Sequence, residues 1–138
     1  MLYPGRVNPQ TMSSLGLTPL VEAGFQLSPR VDGPNLLVSF SGNGDMTAVE
    51  ALGRYLKEVH TEAITLNVEE VRFDLHDLTF MNSSCFKAFV TWIDVVSRIE
   101  NGYKIRFLTN HRHAWQRRSL EALRCLSPNV VRVEAQAS

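Results

Sequence analysis

The stretch Val71-Arg72-Phe73-Asp74-Leu75-His76-Asp77-Leu78-Thr79-Phe80-Met81-Asn82-Ser83-Ser84-Cys85-Phe86 decides the fold. Val71, Phe73 and Leu75 alternate with Arg72 and Asp74, the period-two pattern of a half-buried strand. Leu78 and Phe80 carry the apolar character toward its end. Asn82-Ser83-Ser84 then offers helix-capping side chains. Phe86, Phe89, Val90, Ile93 and Val96 follow at helical spacing and predict a core-facing stripe. A strand that passes directly into an amphipathic helix is a building unit of an α/β fold.

Upstream, Phe25-Gln26-Leu27 alternates and reads as a strand, and Asp32-Gly33-Pro34-Asn35 reads as a turn. Leu36 to Phe40 is a β-favouring run. Gly42-Asn43-Gly44-Asp45 interrupts it and supplies Asp45 as a helix cap. Val49, Leu52, Leu56 and Val59 predict a helix over 46–60. Downstream, the helix that opens at Ser83 runs to about Arg98 and stops before Asn101-Gly102. Tyr103 to Leu108 predicts a strand, 112–126 a helix and Val130 to Val133 a closing strand. In the helix over 112–126, Trp115, Ser119, Ala122 and Leu126 share one side. The order β-β-α-β-α-β-α-β predicts helices covering a mixed sheet. Residues 1–22, mixed in Pro, Gly, Ser, Thr and Asn, read as a flexible N-terminal leader with a short ordered stretch near Leu20 and Val21. The domain is expected over 23–138.

The chain's 138 residues suit one domain with one core. A net charge of zero gives no support to nucleic-acid binding. Residues 98–138 do hold eight of the 14 Lys/Arg and three of the 14 Asp/Glu, which predicts a solvated basic end with local ion pairs. Cys85 and Cys125, far apart, predict two free thiols in a reducing cytosol. The opening Met1-Leu2-Tyr3-Pro4-Gly5-Arg6 lacks the regions of a signal peptide. No apolar run approaches bilayer length, so the expectation is a cytoplasmic chain that reaches a membrane only through a partner.

The sequence offers little for catalysis or metal. It holds no Gly-x-Ser-x-Gly elbow, no phosphate loop and no metal-ligand pair. His111 and His113 lack a third ligand at convincing spacing. Arg112, Arg117, Arg118 and Arg124 lack an accompanying aromatic platform for nucleic acid. Cys85 at a helix N-terminus is open to a lowered pKa, which would make a thiol-based sensor or enzyme. A histidine base would still be needed, and His76 cannot be placed beside it from sequence. The expectation is no enzyme, no metal and no cofactor. The helix after Ser83 carries a second apolar stripe, Cys85, Ala88, Trp92, Val95 and Ile99. Either the helix over 112–126 or the leader buries it, or Trp92 and its neighbours form a partner-docking or dimer patch.

The central stretch resembles the signature of STAS domains, the family of the bacterial anti-sigma factor antagonists. That signature is an apolar strand ending in Asp-Leu, an apolar pair, then Asp-Ser-Ser/Thr-Gly opening a helix. Asp74-Leu75, Phe80-Met81 and Ser83-Ser84 match it, and the likeness extends over about 24–134. Ser41-Gly42-Asn43-Gly44-Asp45 resembles the family's second-strand exit, and Lys104 to Leu108 with Asn110 its back half. The resemblance implies an α/β STAS-like sandwich and a regulatory module that binds a protein partner. In the antagonists the first serine of the motif is phosphorylated by a partner kinase that also holds a sigma factor; by position this is Ser83. The implied partner is an anti-sigma-type serine kinase, and Asn82, Ser83, Ser84, Cys85 and Trp92 form the implied docking surface. Two positions depart from the family: Asn82 stands for its Asp and Cys85 for its Gly. They suit an alternative, a non-phosphorylated STAS subunit that assembles a cytoplasmic ABC-transporter ATPase complex.

Overall fold

In the computed structural model, which describes residues 15–136, six strands form one sheet in sequence order. They are β1 (Leu20–Glu22), β2 (Phe25–Asp32), β3 (Asn35–Gly44), β4 (Glu70–Met81), β5 (Lys104–Asn110) and β6 (Val131–Gln136). β1, β2 and β3 pair antiparallel. β3, β4, β5 and β6 run parallel. Parallel neighbours need long crossovers, and α1 (Val49–Leu66), α2 (Ser83–Ser97) and α3 (Ala114–Leu126) supply them. The architecture is the expected mixed α/β sheet with helices. All three crossovers step the same way along the sheet, so the right-handed rule places all three helices on one face.

The register explains the core. Leu36, Val71, Ile105 and Val131 lie in one cross-strand row, and Val38, Phe73, Phe107 and Val133 in another. These rows meet Leu52, Leu56 and Val59 of α1, Phe89, Ile93 and Val96 of α2, and Leu120 and Leu123 of α3 in one apolar cluster. Phe73 sits at its centre. Its ring lies 4.8 Å from Trp92, 4.9 Å from Phe40 and 5.9 Å from both Phe89 and Phe107. Burying a side chain of this size stabilises by about 1.5–3 kcal/mol. The intervening residues point the other way, where Glu70 bridges Arg72 and Arg106, and Arg106 reaches Glu134.

Three expectations need correction. More of the proposed leader is folded than the stretch expected near Leu20 and Val21, which is β1: Leu17 is buried, the Tyr55 hydroxyl donates to the Thr18 carbonyl at 2.8 Å, and the Gly16 N–H donates to Glu62 at 2.8 Å. The remainder of the leader, residues 1–14, lies outside the described residues. On α3 the buried side is Gln116, Leu120 and Leu123, and Leu126 is 58% exposed. On α2 the buried side is Cys85, Phe89, Trp92, Ile93 and Val96, while Val90 is exposed. Trp92 therefore belongs to the core. Its ring stacks on Phe73, and its indole N–H donates to the Tyr103 hydroxyl at 2.9 Å. A buried indole needs such a partner. Among the described residues no helix is long and apolar enough to cross a membrane.

Candidate functional site

β4 delivers its C-terminal end to the surface by leaving its neighbour. Pairing with β5 ends at Asp74, opposite Leu108. Pairing with β3 continues, with irregularities, to Met81 opposite Gly44. The half of β4 that parts from β5 exposes carbonyls that must find donors. Side chains provide them. Gln116 Nε2 donates to the carbonyls of Leu75 and Leu78, both at 2.8 Å. Asn110 Nδ2 donates to the His76 carbonyl at 2.9 Å, and Trp115 Nε1 to the Thr79 carbonyl at 3.0 Å. Gln116 is fully buried, and its Oε1 accepts the Asn110 N–H at 2.8 Å. α3 and the end of β5 thus hold the strand that presents the junction.

On the opposite edge, the Thr79 hydroxyl bonds with the Gly42 carbonyl and the Asn43 side chain. Gly42 has φ of +90°, and a Cβ there would run into the Gly24 carbonyl oxygen. Only glycine fits that approach. It sets the path of β3 into Asp45.

At the junction itself Asn82 is extended, and its N–H donates to the Gly44 carbonyl at 2.6 Å. Its Oδ1 accepts the Ser84 N–H at 2.7 Å, so Asn82 is the helix cap. Ser83 is the first residue of α2 and is exposed; Ser84 is half-buried. Cys85 turns inward and is fully buried, its thiol directed at the Gly44 carbonyl at 3.7 Å. Burial pushes this thiol above its ordinary pKa, and the nearby Asp45 charge adds to the effect. The expected activating influence of the helix N-terminus is overridden, and a thiol of this kind is not a nucleophile.

Asp45 follows β3 and caps the turn over Met46–Ala48. Its carboxylate accepts the Thr47 hydroxyl at 2.6 Å and the Thr47 N–H at 2.9 Å. Those two bonds hold the carboxyl below its ordinary range. Two large apolar side chains stand exposed at the same end of the sheet, Met46 at 62% and Phe80 at 49%. Phe80 pairs in register with Asn43, next to the turn that carries Met46.

The structure therefore brings Asn82, Ser83 and Ser84 to the surface together. It places Cys85 beneath them. Trp92 lies nine residues along α2, about 13 Å away at 1.5 Å per residue, and faces the core. Sequence reasoning missed Met46 and the exposure of Phe80. The available signal was a large apolar residue inside the polar, capped turn after Asp45.

No protein-family model matches this chain, and no curated protein matches it. Its likeness to solved structures is clear. The crystal structure of an anti-sigma factor antagonist from Mycobacterium paratuberculosis superposes with a TM-score of 0.61 at 15% identity. The match covers 80% of this chain and 85% of that one. The anti-sigma factor antagonist SpoIIAA in its unphosphorylated form superposes with a TM-score of 0.49 at 17% identity, over 83% of this chain and 88% of that one. The fold assignment rests on the first. With a mixed six-stranded sheet and three α-helices among its described residues, the chain has the STAS-like fold seen in that anti-sigma factor antagonist.

Proposed function

We propose that this domain is a regulatory protein-binding module that docks a protein partner at the N-terminus of α2, with Ser83 as a phosphorylation switch. The observation that carries the reading is the junction: an exposed serine at the first position of a capped helix, flanked by exposed Met46 and Phe80. The partner implied by the resemblance is an anti-sigma-type serine kinase. The apolar pair offers it contact area, and Ser83 offers it a hydroxyl at the rim of that contact.

A phosphate on Ser83 adds nearly two negative charges and three acceptor oxygens. The helix N-terminus accepts such charge, because its free N–H groups and macrodipole favour anions. Lys87, exposed one turn along, stands at i+4 from Ser83 and can pair with it. The fold is therefore retained while the docking face gains charge, next to the Asp45 carboxylate already present. A partner fitted to the neutral hydroxyl is repelled. The two departures from the family are compatible with this. Asn82 performs the capping that an Asp would perform, without the charge. Cys85 points inward and takes no space from an approaching partner.

The test is affinity purification from the native host with the partner identified by mass spectrometry, using Ser83→Ala, Ser83→Glu and Phe80→Asp. Ser83→Ala should retain the partner. Ser83→Glu and Phe80→Asp should each weaken it about tenfold or more, which is about 1.4 kcal/mol. Retention by all three refutes the surface. Loss with Phe80→Asp alone keeps the surface and removes the switch. That is the behaviour of a constitutive subunit such as one that assembles an ATPase complex.

A further inference from the structure

A groove runs along the outer side of the α1/α2 pair, apart from the Ser83 junction. We propose that it binds an amphiphilic acid, an apolar chain that ends in a carboxylate. The groove encloses about 580 Å³, within the range of small-molecule sites. Gly53 and Leu56 of α1 and Ala88, Trp92 and Val95 of α2 form its apolar lining.

Gly53 is the most informative of these. A glycine in mid-helix costs about 1 kcal/mol relative to alanine. Among the described residues nothing lies within 4 Å of the point where its Cβ would stand, so their packing does not require it. The missing side chain keeps the groove open.

The rim is rich in donors. Arg54, Lys57, His60 and Thr61 line it from successive turns of α1, and Glu50 is its one acid among the described residues. Glu50 is already beside Arg54, at 3.8 Å. Lys57 enters no ion pair among the described residues. His60 is oriented from within. Trp92 Nε1 donates to the Tyr103 hydroxyl at 2.9 Å, and that hydroxyl lies 2.7 Å from His60 Nδ1. Together these two contacts tie the ring to the core through Nδ1.

An apolar floor beneath the cationic Arg54 and Lys57 is complementary to an apolar anion. The groove is confined to about three turns of α1 and two of α2. A standard protein interface covers about 800 Å² on each partner, so the extent favours a small ligand over a docked helix.

The experiment is a titration of the full chain with dodecanoate, followed by ¹H–¹⁵N NMR. The indole N–H of Trp92 should shift saturably and that of Trp115 should not. Dodecanol should bind about tenfold more weakly, because it lacks the charge. Gly53→Leu, a helix-favouring change at an open position, should abolish binding while circular dichroism shows the fold intact. Lys57→Ala should weaken dodecanoate several-fold and leave dodecanol unchanged. An unmoved Trp92 signal overturns the proposal, as does equal affinity for dodecanol or full binding by Gly53→Leu. So does a groove that ignores dodecanoate and takes an acidic amphipathic peptide instead.

Discussion

The two halves of β4 are held by different physics. From Glu70 to Asp74 the strand is laddered on both sides, to β3 and to β5. Its inward residues are core, and its backbone groups find partners in neighbouring strands. From His76 to Met81 the β5 side is gone, and Gln116, Asn110 and Trp115 satisfy the carbonyls instead. The first half is a generic sheet centre. The second is specified by three side chains from 34 to 41 positions away. Ser83 is delivered by the second half, so the candidate site depends on polar groups more than on the aromatic core.

This contrast can be broken from either side. Phe73→Ala, in the first half, should cost about 3–5 kcal/mol in urea denaturation, because it leaves a cavity among four aromatic rings. The variant, if folded, should keep an ordered Ser83 junction. Gln116→Leu should cost less, about 3 kcal/mol, since it strands two buried carbonyls and one buried N–H. Its signature should be local: faster amide exchange over 76–84 than over 70–74. Equal exchange in both halves would refute the division.

Glu70 sharpens the comparison on the outer face of the first half. Burial pushes its carboxyl up, but hydrogen bonds from Arg106 at 3.0 Å and Arg72 at 2.5 Å outweigh that and hold it below its ordinary value of 4.5. A depressed folded pKa stabilises the protein above the unfolded value and loses that stabilisation as pH falls through the folded one. Glu70→Gln should therefore cost about 1 kcal/mol at neutral pH, in a network that is partly exposed. The difference from the parent should vanish in acid, measured by urea denaturation across pH. Asn82→Ala should have the smallest effect on stability, about 0.5–1 kcal/mol for a lost cap. It should be visible chiefly as fraying of the first turn of α2 in amide exchange.

The halves also differ in how far they can be read from sequence. Val71, Phe73 and Leu75 declare a strand by alternation alone, and Asn82-Ser83-Ser84 declares a helix start. Gln116 declares nothing. A glutamine in a helix reads as a solvated residue, and its role appears only once the fold sets it against Leu75 and Leu78. Trp92 was ambiguous for a related reason. α2 carries apolar residues at 85, 86, 88, 89, 90, 92, 93, 95 and 96, so helical spacing fits more than one buried face. What selects the face is Phe73 beneath it and the Tyr103 hydroxyl, 11 positions away. The sequence leaves Cys85 open to activation because a helix N-terminus is visible in it and the Gly44 and Asp45 carbonyls near the thiol are not.

The decisive measurement is the intact mass and peptide map of the protein isolated from its own host, with and without phosphatase treatment. A phosphatase-sensitive phosphate on Ser83, absent from Ser83→Ala, is the predicted result. No phosphate on Ser83 under any growth condition, or phosphate only on another residue, would contradict the switch.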